Sequence, residues 1–466
     1  MNNKNKEMLF SFACITLLFF VWGFITCMND LLIPKFKADF RLSQLQANLI
    51  QSAFFGAFFI VSLLYFVISN LKGDPINKIG YKNGLVIGLV ICGLGCFLFF
   101  PAAQTHVYPM FLLALLTLGA GVTIIQIAAN PYISILGEED SASARLNLSQ
   151  GINSLGYVIA PLIGGFLLFG SNVYESSGDV NSVKVTYVGL GMIFILLALI
   201  IKLIKLPEFR APEAQSVKIN LKQDKTFLLG LFAIFFYVGS EVTVGSILIN
   251  YLGDSSIIGM AAHDADKYLS FYWGGLMIGR LVGAISLSSM TGLKKYSSMI
   301  AVAIISTLII FGNATFKNYL TSGHYILLSD VSPFIGLIAL NFLFFYLGGK
   351  STGRMIGYFS IVATSLTLIA MNSTGQLALW SIIGIGLFNS IMWSNIFTLS
   401  IKGMKEKTSK ASSLLVMMIV GGAVLPAVQG ALADTFGMRL SLSIVLLGYV
   451  YLVYFGFIGS QVNKND

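Results

Sequence analysis

Three ionisable side chains, Asp30, Glu241 and Arg280, lie inside long apolar segments of the sequence. A carboxyl group in a low-dielectric environment favours its neutral form and can therefore carry a proton. This predicts a proton-coupling role for Asp30 and Glu241. Two simpler alternatives stay open, because Asp30 could be a solvated helix end close to Lys35 and Glu241 could pair with a polar neighbour. An arginine in such a segment needs a carboxylate or carbonyl partner, so we predict a structural gate role for Arg280.

Amide side chains recur at helical spacing in the same segments. Residues three or four apart project together from a helix, and amides both donate and accept hydrogen bonds, which suits the hydroxyls of a neutral polyol. The alternative role is hydrogen bonding between membrane helices. A tryptophan can offer a flat apolar face to a sugar ring, although aromatic packing is its commoner role. The predicted substrate-binding set is Gln126, Asn130, Gln150, Asn153, Asn389 and Trp393.

Sequence signatures of enzymes and of metal sites do not stand out. The sequence holds no GxSxG, no HExxH, no P-loop and no zinc-type cysteine spacing. The three histidines, His106, His263 and His324, fall in predicted loops. We therefore predict no catalytic residues, no metal and no cofactor.

The composition is that of a membrane protein. Hydrophobic residues make up 56% of the 466 residues and charged residues only 11%, against about 25% charged in soluble proteins. A helix needs about 20 apolar residues to span a bilayer, and fourteen segments qualify. They are Met8–Ile33, Leu45–Ile68, Leu85–Ala103, Tyr108–Ser134, Leu146–Phe169, Val185–Ile204, Thr226–Leu252, Tyr268–Met290, Ser297–Thr315, Val331–Leu347, Arg354–Met371, Gln376–Ile401, Ser412–Ala433 and Leu440–Gly459.

The distribution of basic residues predicts the orientation of these spans. Of the 29 Lys and Arg residues, 21 fall on the side of the amino terminus, 7 on the other side, and Arg280 within the membrane. Cytoplasmic loops carry the excess of positive charge. The net charge of +9 therefore indicates contact with a lipid bilayer rather than with nucleic acid. We expect both termini in the cytoplasm and the protein in the cytoplasmic (inner) membrane of a bacterium.

Two motifs occur twice at one spacing. The stretch 130–137 aligns with 395–403, which has one extra residue before its final glycine, and Gly-x4-Pro-x3-Gly at 156–165 recurs at 421–430. Both repeats begin 265 residues later. A chain with two similar membrane halves is typical of transporters, in which one half rocks against the other around the substrate. The repeat therefore predicts a transporter of two six-helix bundles.

The repeat is interrupted by an insertion in the second half. Stretches 20–23 and 52–56 match 236–239 and 270–274 at shifts of 216 and 218, about 47 short of the later shift. We predict twelve core helices and an extra helical hairpin at about 294–350, with one of its helices lying in the membrane interface as the alternative. The predicted domains are 1–204, a linker over 205–225, and 226–466.

These motifs resemble the fucose–galactose–glucose–proton symporter family of the major facilitator superfamily, in its glucose/galactose transporter branch. The resemblance covers nearly the whole chain. It is carried by Trp22-Gly23 with Asn29–Pro34, by Leu49–Gly56, by Ala128–Tyr132 with Arg145–Gly156, by Tyr237–Val242 and by Ile278–Arg280.

The resemblance implies the major facilitator fold and a proton-coupling aspartate in the first helix, which is Asp30. The family's second protonatable residue is a glutamate in the fourth helix, but Gln126 stands there and cannot titrate. Glu241 is the candidate to replace it. We expect a monomer that imports a neutral hexose (glucose, galactose or fucose) with a proton. Sodium coupling, uniport and transport of another neutral compound stay open.

Overall fold

The computed structural model describes residues 3–42, 44–169, 180–208 and 224–464. Every regular element in these ranges is helical. We number the long helices α1 to α14 and count a helix that is interrupted within one span as one helix. The first six are α1 (Asn3–Asp39), α2 (Gln44–Lys72), α3 (Tyr81–Phe97, continued by Phe99–Thr105), α4 (Tyr108–Ile135), α5 (Ala142–Phe169) and α6 (Val180–Leu203).

The second half of the chain contributes eight long helices. Two of them are interrupted, and their parts are given the letters a and b. They are α7 (Lys225–Gly253), α8 (Ala262–Ser286), α9 (Gly292–Ser322), α10 (Ser332–Gly348), α11 (Thr352–Asn372), α12a (Gly375–Asn389) with α12b (Met392–Ile401), α13a (Thr408–Met417) with α13b (Gly421–Phe436), and α14 (Ser443–Phe457).

Thirteen helices within the described ranges are long and apolar enough to cross a membrane. They correspond to thirteen of the fourteen predicted spans. The remaining span is α8, which has the required length but is less hydrophobic because it carries a polar first turn and Arg280. The chain is therefore a multi-pass membrane protein, and its regular elements in the described ranges are all helices.

Helix packing repeats between the two halves of the chain. In the first half, α3 packs along α4 and α6, and α4 packs along α2. In the second half, α11 packs along α12a and α14, and α12a packs along α8. This is the same pattern with α9 and α10 left over, as predicted for twelve core helices and two additional ones. Both additional helices are long enough to span, and they pack on the core, α9 along α8 and α10 against α11 and α12a.

Small residues allow the closest of these contacts. A Cβ on Gly95 of α3 would lie 2.5 Å from the backbone N of Leu118 in α4, and one on Gly121 of α4 would lie 2.5 Å from the backbone N of Cys92. Membrane helices rely on close van der Waals packing because lipid offers no hydrophobic driving force between them. The two glycines therefore fix how closely α3 and α4 approach.

The described residues form two compact units whose boundaries differ from those of the two halves. Unit 1 contains 1–137, 159–219 and 401–420, and unit 2 contains 138–158, 220–400 and 421–466. The first part of α5 thus belongs to unit 2, and α13a belongs to unit 1. The predicted domain boundaries stay a prediction, and residues 209–223 of the predicted linker lie outside the described ranges.

Polar contacts hold α13a in unit 1. The Ser409 hydroxyl donates a hydrogen bond of 2.7 Å to the Asp74 carboxylate, which also caps the short helix Pro75–Ile79. The ammonium group of Lys410 lies 5.6 Å from the centre of the Phe66 ring. A partly buried hydrogen bond to a charged group and a cation–π contact both favour this placement of α13a.

Candidate functional site

Asp30 in α1 is the accessible carboxylate among the predicted residues of unit 1. The Nε2 group of Gln51 in α2 donates a hydrogen bond of 2.5 Å to Asp30 Oδ1. Among the described residues, no Lys or Arg nitrogen lies within 4.0 Å of this carboxylate. The neighbouring Asn29 is buried, and its amide has no hydrogen-bond partner in the described part of the chain. Asp30 is therefore held by a neutral amide and not by a cation.

The predicted amides of unit 1 lie on α4. Gln126 and Asn130 are both buried, with 3% and 0% of their surface exposed. The Asn130 carbonyl accepts a hydrogen bond of 2.8 Å from the Ser134 hydroxyl, next to Pro131 within the helix. Since proline cannot donate its own backbone hydrogen bond, the α4 backbone is locally weakened beside Asn130.

Arg280 of α8 is buried in unit 2 and bonds to three other helices. Its Nε donates to the Ser390 carbonyl at the end of α12a (3.1 Å), its Nη1 to the Ser154 hydroxyl of α5 (2.6 Å), and its Nη2 to Tyr237 and Glu241 of α7 (3.4 and 3.2 Å). The sequence predicted a carboxylate or carbonyl partner, and the structure supplies both kinds. The guanidinium thereby links α5, α7, α8 and α12a.

Glu241 is the carboxylate that compensates this charge. Its Oε1 lies 3.2 Å from Arg280 Nη2, and both side chains are about nine-tenths buried. A buried ion pair is destabilised strongly when one partner is removed, because the other charge stays uncompensated. Protonating Glu241 would have the same effect on Arg280. Glu241 therefore has a cationic partner, Arg280, whereas Asp30 has no cationic partner among the described residues.

A break between α12a and α12b lies beside this cluster. The helix is interrupted at Ser390 and Ile391, and the Ser390 carbonyl accepts from Arg280. Non-helical backbone at membrane depth is tolerated where protein groups satisfy it. Interrupted helices also mark binding sites in transporters. Asn389 and Trp393 flank the break.

Asn389 and Trp393 carry unused hydrogen-bonding atoms in the interior of unit 2. Asn389 is fully buried, and its Nδ2 donates a hydrogen bond of 3.4 Å to the Tyr272 hydroxyl. Asn389 Oδ1 and Trp393 Nε1 have no hydrogen-bond partner in the described part of the chain. Such groups are costly to bury unless they meet a ligand or water. They are therefore candidates for binding a polar molecule.

The first part of α5 presents one continuous stripe to its neighbours in unit 2. The Ser143 hydroxyl lies 2.6 Å from the Thr398 hydroxyl, and Asn147 Nδ2 donates to Asn395 Oδ1 at 3.0 Å. Further along, Tyr157 stacks on the Trp273 ring at 5.9 Å. Asn147 and Asn395 thus connect two helices, which is the alternative role given in the sequence analysis for amides in membrane spans.

Gln150 and Asn153 lie in the same part of α5 and are buried. The Gln150 carbonyl accepts from the Ser154 hydroxyl at 3.0 Å, so that hydroxyl presents its lone pair to Arg280. The predicted residues divide between the units. Unit 1 holds Asp30, Gln126 and Asn130, and unit 2 holds Glu241, Arg280, Gln150, Asn153, Asn389 and Trp393.

Two functional candidates, Gln51 and Tyr272, were missing from the predicted set. Gln51 lies one helical turn after Asn48, but nothing in its spacing indicates that it meets Asp30 across two helices. Tyr272 stands in an apolar stretch with other aromatic residues, where a tyrosine gives no signal of its own. No group of three or more His, Cys, Asp or Glu side chains in the described ranges is arranged to hold a metal ion.

Internal repeats and interrupted helices near buried charges are typical of secondary transporters, and the described residues of this chain show all three features. The model of the Major Facilitator Superfamily matches residues 9–328. The chain belongs to this superfamily, whose members are transporters and not enzymes.

Known proteins resemble the chain over nearly its full length. A glucose/galactose transporter of Brucella abortus is 36% identical and covers 98% of this chain and 96% of its own. The L-fucose-proton symporter of Escherichia coli is 28% identical, over 93% of this chain and 89% of its own. The crystal structure of the major facilitator transporter FucP in the outward conformation superimposes with a TM-score of 0.73 at 26% identity, over 98% of this chain and 100% of its own.

Proposed function

We propose that this protein imports a neutral hexose, glucose or galactose, together with a proton, and that Asp30 carries the proton. Fucose is the other sugar that belongs in the test, because one relative is an L-fucose-proton symporter. The names of the relatives support the substrate class. The buried polar residues are mostly hydroxyls and amides with few charged groups, which suits a molecule without charge.

The observation that carries the coupling mechanism is the environment of Asp30. Its carboxylate is accessible and bonded to Gln51, whose amide can donate to the ionised form and accept from the protonated form after rotating. Asp30 can thus gain and lose a proton without leaving a buried cation unpaired. Protonation from outside would favour sugar binding and the inward-facing state.

The structure supports a different role for Glu241. Gln126 already replaces the glutamate of the fourth helix, and Glu241 is bonded to Arg280. We propose that the transported proton resides on Asp30 and that the Glu241–Arg280 pair acts in gating, with Arg280 holding α5 through Ser154.

Six residues are proposed to bind the sugar, and the unpaired atoms of Asn389 and Trp393 give the strongest support. The amides supply donors and acceptors, and the indole supplies a flat apolar face. The set is Gln126, Asn130, Gln150, Asn153, Asn389 and Trp393.

We propose that the protein lies in the inner membrane of a bacterium with both termini in the cytoplasm. The distribution of basic residues supports this orientation. We also propose that it acts as a monomer, because one chain contains both repeats that alternating access requires.

Uptake of labelled glucose, galactose and fucose into proteoliposomes tests the proposal. An inward proton gradient should accelerate uptake of at least one sugar, whereas an inward sodium gradient at equal membrane potential should not. In Asp30→Asn this acceleration should disappear. Asp330→Asn is the matched control, since it neutralises an exposed aspartate in the turn before α10 and should retain coupling. Acceleration by sodium alone would contradict proton symport, and uptake of none of the sugars would contradict the substrate class.

A further inference from the structure

A chain of two hydrogen bonds connects α7, α8 and α12a inside unit 2. The Tyr272 hydroxyl donates to the backbone carbonyl of Glu241 at 2.8 Å. Asn389 Nδ2 in turn donates to the Tyr272 oxygen at 3.4 Å. All three residues are buried, so water does not compete freely for these groups.

The first bond dictates the direction of the second. A backbone carbonyl can only accept, so Tyr272 must commit its proton to Glu241. The Tyr272 oxygen then has only lone pairs to offer to Asn389. The Asn389 side chain must therefore turn its NH₂ group, and not its oxygen, toward Tyr272. This assignment follows from the chemistry of the partners and does not depend on telling the amide N from its O.

The backbone around Tyr272 leaves little freedom for this chain to rearrange. A Cβ on Gly386 of α12a would lie 2.4 Å from the Tyr272 carbonyl oxygen, and one on Gly275 of α8 would lie 3.1 Å from the Leu387 backbone N. The backbones of the two helices therefore approach closely at Tyr272 and again about one turn later at Gly275. Since Asn389 stands on the turn after Gly386, its distance from Tyr272 is fixed by the same contact.

This fixed orientation of the Asn389 amide determines what its oxygen, Oδ1, can bind. Asn389 Oδ1 is buried without a partner among the described residues, and so is the Trp393 Nε1–H. With the amide held by Tyr272, Oδ1 can only accept a hydrogen bond, whereas the indole N–H can only donate one. A ligand at this position must therefore bring a donor to Asn389 and an acceptor to Trp393.

We infer that Tyr272 is a positioning residue which sets the hydrogen-bond polarity of the sugar site, so that one hydroxyl of the sugar must donate its proton to Asn389. The inference rests on the proposed sugar transport and deepens it. It selects molecules with a hydroxyl at that ring position over analogues that can only accept there.

Deoxy and deoxyfluoro analogues of the transported hexose distinguish a required donor from a required acceptor. Fluorine is close to a hydroxyl in size but can only accept. At one ring position, we expect both the deoxy and the deoxyfluoro sugar to compete with the parent sugar at least about tenfold more weakly, the effect of one lost buried hydrogen bond. At a position that meets only donors such as Trp393, the fluoro sugar should compete better than the deoxy sugar.

The variant Tyr272→Phe tests the positioning role. It removes the hydroxyl that holds the amide, so Asn389 can rotate and present its NH₂ group to the ligand. At the sensitive position, the fluorine penalty, which is the weaker competition of the deoxyfluoro sugar relative to the parent sugar, should then fall by about threefold or more. A merely structural loss would weaken both sugars alike and leave this ratio unchanged. Tyr251→Phe is the matched control, because its hydroxyl also donates to a backbone carbonyl, that of Ala370 at 2.6 Å, and should leave the fluorine penalty unchanged.

The outcomes separate this inference from the proposed function. Transport of a hexose in which fluorine is tolerated at every position refutes the inference and leaves sugar transport intact. An unchanged fluorine penalty in a folded Tyr272→Phe protein also refutes it. Failure of the wild-type protein to take up any hexose refutes the proposed function and the inference with it.

Discussion

Replacing Glu241 by Gln should destabilise the protein through the charge of Arg280. The two side chains meet at 3.2 Å and are about nine-tenths buried, and at an effective dielectric constant near 20 two unit charges at that distance attract by about 5 kcal/mol. Glutamine can still accept a hydrogen bond, and Arg280 keeps Ser390, Ser154 and Tyr237 as partners. We therefore expect a loss of about 3 to 5 kcal/mol, the usual cost of leaving a buried charge unpaired.

The assay is unfolding of the purified protein in detergent micelles with increasing sodium dodecyl sulfate, followed by tryptophan fluorescence. The free energy of unfolding is compared among the wild type, Glu241→Gln, Arg280→Met and the double variant. Because Arg280→Met removes the buried charge, the double variant should lose clearly less stability than the two single variants added together. Ser154→Ala is the graded control. It removes one neutral acceptor and should cost only about 1 to 2 kcal/mol.

Two results would refute this reasoning. A Glu241→Gln protein within about 1 kcal/mol of the wild type would mean that the carboxylate does not compensate Arg280. Additive effects in the double variant would mean that the two side chains do not interact energetically, whatever their distance.

Two further variants test the packing of α5 in unit 2 by the same unfolding assay. Gly151→Ala places a Cβ 2.4 Å from the Leu281 side chain and should lower the free energy of unfolding by about 1 to 3 kcal/mol. The control Gly312→Ala, where nothing lies within 4 Å of the new Cβ, should be neutral or stabilising. Equal effects at the two glycines would contradict the close contact. Asn147→Leu leaves the Asn395 oxygen without its donor and should lower the free energy of unfolding by about 1 to 3 kcal/mol. The double variant Asn147→Leu/Asn395→Leu should regain part of this loss. If it does not, the two amides do not act as a unit.

The helices could be predicted because membrane spans depend on length and hydrophobicity. The insertion also followed from the sequence, since the shift between repeated motifs changes from 218 to 265 between about 274 and 395. The break at Ser390 and Ile391 could not be predicted, because neither residue is a glycine or proline and the break is stabilised by Arg280 from another helix. The assignment of the first part of α5 to unit 2 likewise depends on contacts such as Asn147–Asn395 that span 248 positions.

The candidate site could be predicted by residue type but not by pairing. Ionisable residues are costly and rare within membrane spans. The sequence alone therefore indicated Asp30, Glu241 and Arg280 as candidates. Which carboxylate compensates the arginine depends on the side-by-side packing of α7 and α8, which helical periodicity does not encode. Tyr272 was missed for the same reason, because its role depends on the two partners of its hydroxyl.

The most direct test of proton symport by Asp30 is the internal pH of proteoliposomes when sugar is added outside with no imposed gradient. The account predicts that glucose or galactose acidifies the interior, and that the acidification is absent in Asp30→Asn but present in Asp330→Asn. Entry of labelled sugar without acidification, or acidification that persists in Asp30→Asn, would contradict it.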